Sequence, residues 1–158
     1  MAKATPIGGL SASDSFAAAA HKILAVRSGE LLQQRDRVLD TGDIEGVHDM
    51  RVASRRLRAV LEIFEPCFDK KAHRAALRDV KRLADDLGRR RDPDVQIALL
   101  ESFASEASIA DREGIESLIE SLRAEQAEAN DLLREALNRV DDHGLQSTLA
   151  ELTQDSRP

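Results

Sequence analysis

The stretch VHDMRVASRRLRAVLEIF, residues 47–64 of a 158-residue chain, decides how the sequence is read. Val47, Met50, Leu57, Val60, Leu61 and Phe64 recur at three- and four-residue steps, the period of an amphipathic helix. At about 100° per residue, with His48 at 0°, Arg51 falls near 300°, Arg55 near 340° and Arg58 near 280°. The apolar set falls between about 120° and 260°, and Arg56 sits apart near 80°. Four cations or potential cations therefore form a ridge beside a buried stripe. Among local acids only Glu62, near 320°, aligns with it. Like charges at these steps repel by a few tenths of a kcal/mol per pair, and Arg grips phosphate or carboxylate with a planar fork. The ridge implies an anion, either external or supplied by acids elsewhere in the fold.

Working outward, this helix starts near Ile44 to Val47 and runs to Phe64, where Pro66 stops it. Asp69 is a plausible N-cap for a third helix, with Gly88 as its C-terminal stop. With Lys81 at 0°, Arg74 lies near 20° and Arg78 near 60°, while Leu77, Val80, Leu83 and Leu87 lie between about 200° and 320°. Lys71 and Arg82 extend the outer edge of this stripe, and Asp85 partly offsets it. If the two helices pack antiparallel, their basic stripes border one groove, and Arg89, Arg90 and Arg91 close one end. Such a surface suits an extended polyanion better than one small molecule.

The rest of the chain reads as helices with short breaks. Residues 1–12, with Pro6, Gly8 and Gly9, look like a mobile tail, and Ser11 or Ser13 caps a first helix to about Leu39. Pro93 or Asp94 opens a fourth helix through about Ala107. Asp111 opens a fifth to about Val140, and a short Leu-bearing piece precedes a polar end at 153–158. No period-2 alternation survives, so strands are not expected. The fold class is all-α: one antiparallel bundle of about four to five helices over residues 13–152.

With 42% hydrophobic and 33% charged residues, wholesale disorder is not expected. Apolar runs fall far short of the roughly 18 residues of a membrane span. One cysteine, Cys67, excludes an internal disulfide, and the opening residues lack the apolar core of a signal peptide. The cytoplasm is the default compartment. Net charge is −6, unevenly spread: residues 48–91 hold 13 Lys or Arg against 7 Asp or Glu, a balance of +6. Residues 1–47 hold 5 against 6, and residues 92–158 hold 5 against 16. An anion-binding middle is thus offset by an acidic remainder.

The string V-H-D-M-R-V-A-S-R-R-L-R (47–58), followed by L-R-D-V-K-R-L-A-D-D-L-G-R-R-R-D-P-D-V (77–95), resembles the conserved histidine α-helical domain, CHAD. The likeness covers about residues 13–152. It implies a helical fold that binds inorganic polyphosphate on a basic central surface, often at polyphosphate granules. The implied phosphate ligands are His48, Arg51, Arg55, Arg56, Arg58, Lys81 and Arg91, with Arg74, Arg78, Arg82, Arg89 and Arg90 as auxiliaries on charge grounds. Asp92 and Asp94 match the motif as well, as residues that orient Arg or cap a helix. The full family domain has two similar halves, and no second H-x-x-R string follows Asp92. The chain resembles the first half, as a natural half-domain or a truncation, and a homodimer would supply the missing half.

No other chemistry competes strongly. His21, His73 and His143 share no metal-type spacing with His48. No nucleophile elbow or glycine-rich phosphate loop is present, so neither catalysis nor a cofactor is expected. The alternative is a nucleic-acid-binding or regulatory helical protein using the same basic ridge, disfavoured by the scarcity of aromatics for base stacking and the lack of a helix-turn-helix unit. A structural reading, in which the ridge pairs with the acidic final third, stays open.

Overall fold

The computed structural model describes residues 3–142 and 144–154, so His143 and the last four residues lie outside it. Five α-helices follow in order: α1 (Phe16–Gln33), α2 (Ile44–Ile63), α3 (Lys70–Glu106), α4 (Ile109–Asp142) and α5 (Leu145–Gln154). A 3-10 turn, Glu65–Cys67, joins α2 to α3. No strand occurs among the described residues.

Caps set the starts. The Ser15 hydroxyl accepts from Ala18 N at 3.1 Å and begins α1, beyond both expected caps, Ser11 and Ser13. Asp43 opens α2 by accepting from Gly46 N at 3.2 Å. A Cβ at Gly46 would stand 2.7 Å from the Arg37 carbonyl oxygen, so only glycine lets the turn before α2 lie so close. Asp69 caps α3 through Lys71 N and Ala72 N, as its sequence implies.

Three expectations are corrected. The anticipated third and fourth helices are one 37-residue helix, α3, which runs through both Gly88 and Pro93. An interior proline costs a helix roughly 3 kcal/mol. Here Leu83, Leu87, Pro93, Asp94 and Ile97 are buried along it, and each buried leucine returns about 1.5–3 kcal/mol. Continuous packing on α4 therefore outweighs the local stop signals. The N-terminal segment, read as a mobile tail, is tied along α1. Thr5 N donates to Glu30, Arg27 donates to Thr5 O at 3.0 Å, and Lys22 donates to Gly9 O at 2.7 Å. The expected polar end also shifts, because Thr153 and Gln154 belong to α5.

The main core joins all five helices, with Leu24, Leu31, Leu57, Leu61, Leu83, Leu133, Leu149 and Leu152 at its centre. His21 donates to Leu152 O at 2.7 Å and His73 to Leu61 O at 2.8 Å, fastening α1 to α5 and α3 to α2. Cys67 packs against this core, and burial pushes its thiol upward. A second, smaller cluster of Ile97, Ile119 and Leu122 joins only α3 and α4. These two helices thus continue as a two-helix arm beyond the bundle.

Candidate functional site

α2 buries Val47, Met50, Leu57, Val60 and Leu61 and leaves Arg51, Arg55 and Arg58 exposed. The ridge read from the sequence is therefore a real edge, with half-buried His48 on it. Three contacts fix how α2 meets α3. Arg91 donates to Ile44 O at 3.0 Å, His73 reaches Leu61 O, and Lys81 Nζ lies 3.3 Å from Glu62. The start of α2 thus lies by Arg91 and its end by His73, an antiparallel pair. That register sets Arg51 and Arg55 level with the middle of α3, at roughly residues 79–84. Arg74, Leu77, Arg78, Lys81, Arg82 and the acid Asp85 line a shallow groove of about 470 Å³ on the α3 side. The exposed edges of the two helices adjoin where Arg58 and Lys81 share Glu62.

Not every motif cation joins these edges. Arg56 is half-buried on the α1 side, 4.0 Å from Glu30. Arg91 spends a guanidinium N–H on the Ile44 carbonyl and so also ties the helices together. Arg89 turns towards α4, where it shares Asp86 with Arg139 at 3.7 and 3.8 Å. Arg90, expected among the auxiliaries, is fully buried. It pairs with Asp94 and donates to Asn130 at 3.1 Å, and Asp94 also accepts from Gln126 at 2.6 Å. Its guanidinium cannot meet an external ligand. Asp94 orients an arginine, as its place in the motif implies, while Asp92 is exposed.

The electrostatics sort the remaining cations. Among the described residues, His48, Arg51, Arg55, Arg74 and Arg82 have no hydrogen-bond or ion-pair partner for their side chains. Arg78 pairs with its neighbour Asp79 at 2.9 Å, which pushes the guanidinium further up. Arg58 and Lys81 share Glu62, and the hydrogen bond from Arg58 is the main reason that carboxyl lies below its ordinary range. No described ion pair joins an acid of α4 to the α2 ridge. The acids of α4 pair instead with Arg35, Arg134 and Arg139. Internal neutralisation by the acidic final third is therefore not what occupies Arg51 and Arg55. Among the described residues no three His, Cys, Asp or Glu side chains converge as a metal site would require. No helix of the described residues is long and apolar enough to cross a membrane.

The sequence placed Glu62 beside the ridge but gave no sign that it reaches across to Lys81. That contact joins residues 19 positions apart and depends on the α2–α3 register. Arg139 was also missed, since it comes from the acidic part of the chain and reaches α3 only through the α3–α4 packing.

Comparison with curated proteins and with solved structures returned no match. The family model of the CHAD domain matches residues 22–158, nearly the whole chain. With the two motif strings on α2 and α3 and an all-helical bundle around them, the chain belongs to the CHAD domain family.

Proposed function

We propose that the α2–α3 face binds inorganic polyphosphate and performs no catalysis. The observation that carries this reading is the exposure of Arg51 and Arg55, one turn apart on α2, with no partner among the described residues. Cations held close together without counter-ions favour a ligand with closely spaced charges. Phosphate oxygens take charge-assisted bonds from guanidinium and ammonium groups, and binding releases counter-ions. Membership of the CHAD family supports the same ligand and, more loosely, association with polyphosphate granules.

The chain forms a homodimer through the α3–α4 arm. This rests on Val95, Leu99 and Phe103, which are 50%, 68% and 60% exposed on α3 where α2 no longer covers it. The test of the main reading is competition binding with long-chain polyphosphate, short oligophosphate, single-stranded DNA and duplex DNA at physiological salt. Polyphosphate should win. DNA competing equally well would favour the nucleic-acid alternative.

A further inference from the structure

Besides Asp79 and Asp85 on α3, the basic face holds an acid from α2 that reaches across to α3. The Glu62 carboxylate accepts from Arg58 Nε at 2.9 Å and lies 3.3 Å from Lys81 Nζ, so it bridges the two helices at the surface. Its side chain is 42% exposed, and those of Arg58 and Lys81 are 47% and 43% exposed. It caps no helix and fills no core. A ligand carrying negative charge cannot engage Arg58 and Lys81 fully while this carboxylate holds them.

We infer that Glu62 is a resident counter-ion that an incoming polyanion must displace, and that it makes the site prefer long chains to short ones. This rests on the polyphosphate reading above. Exchanging one carboxylate for one phosphate group at an exposed pair gains little, because such pairs are weak. A short anion therefore gains little at Arg58 and Lys81. A long chain first held by Arg51 and Arg55, which have no such acid, presents its next phosphates at high local concentration. Only the long chain then displaces Glu62. The unpartnered arginines admit the polymer, and Glu62 screens it by length.

The experiment compares the wild-type chain with Glu62→Gln and Glu62→Asp, using tripolyphosphate and long-chain polyphosphate across a salt series. Glu62→Gln keeps the shape and removes the charge. It should bind tripolyphosphate about two- to five-fold more tightly, the size of a released exposed pair. Long-chain polyphosphate should gain less, so the length preference narrows. The slope of log affinity against log salt should steepen by about one charge, because one internal counter-ion is gone. Glu62→Asp should stay near wild type in both respects, and melting temperatures show that all three are folded. Unchanged slope and length preference in Glu62→Gln, with wild type binding polyphosphate, would overturn the role of Glu62 alone. A folded wild-type chain that bound neither phosphate would overturn the polyphosphate reading, and this inference with it.

Discussion

Arg90 and Asp94 stand one helical turn apart on α3, on either side of Pro93, both buried and paired with each other. Arg90 also reaches Asn130 of α4, and Asp94 accepts from Gln126 of the same helix. A proline in a helix removes the bond to the carbonyl four residues earlier. The side-chain network stitches α3 to α4 across that gap. Removing one partner leaves a buried charge without compensation, which costs about 3–5 kcal/mol. Arg90→Met should therefore lose stability on that scale in urea unfolding. Arg90→Met combined with Asp94→Asn should lose less than the single change. At a temperature where Arg90→Met is folded, its polyphosphate affinity should match wild type, whereas an exposed phosphate ligand at Arg90 would show as weakened binding.

Arg51 and Arg55 carry the opposite expectation. Both are exposed and have no partner among the described residues, so Arg51→Glu with Arg55→Glu should change folding stability by only about 0.5 kcal/mol per site. Polyphosphate binding should fall by well over ten-fold at physiological salt, since each reversal removes one phosphate contact and adds a repulsion. A melting curve and a titration on the same preparation read the two effects separately. A large drop in melting temperature with affinity retained would restore the structural reading of the ridge.

How far this was legible in the sequence depended on range. The ridge of α2 follows from the spacing of Arg51, Arg55 and Arg58 against Val47, Leu57 and Leu61, and it stands as read because one helix sets it. The Asp69 cap is equally local. Gly88 and Pro93 misled because local stop signals cannot register the packing of α3 on α4. The error then propagated to Arg90. Continued through Gly88 at about 100° per residue from Lys81, the helix puts Arg90 near 180° and Asp94 near 220°, beside Leu83 near 200°. Periodicity thus held the answer, but the assumed break hid it. The Glu62–Lys81 bridge had no such signal, because it needs the pairing of two helices.

Glu30 gives a pH test with a definite sign. Burial raises its pKa, but the Thr5 N–H and the Arg27 guanidinium together outweigh burial and hold the carboxyl below its ordinary value of 4.5. A group depressed in the folded state stabilises it above the unfolded pKa and loses that contribution as pH falls through the folded value. Wild type should therefore melt higher than Glu30→Gln at pH 7. The gap should begin to close as pH drops below about 4.5 and should vanish once the folded carboxyl is protonated. Cleavage of the N-terminal segment by protease should quicken in Glu30→Gln, because this residue ties Thr5 to α1. A gap that widened on acidification would contradict the assignment.

The arm offers the last test. Carrying α3 onward from Lys81 at about 100° per residue places Val95, Leu99 and Phe103 within roughly 40° of the line through Lys81. The apolar stripe thus prolongs the basic edge of the same helix, and it is bare because α2 begins at Ile44, level with Arg91. A second copy covering the stripe would lie end to end with the basic face and lengthen it. Light scattering should then report a dimer for wild type at micromolar concentration and a folded monomer for Leu99→Glu with Phe103→Glu. Long-chain polyphosphate should bind the double variant more weakly while tripolyphosphate, which spans one copy, binds it unchanged. A wild-type monomer with full affinity for the long chain would remove the dimer and leave a single α2–α3 face as the whole site.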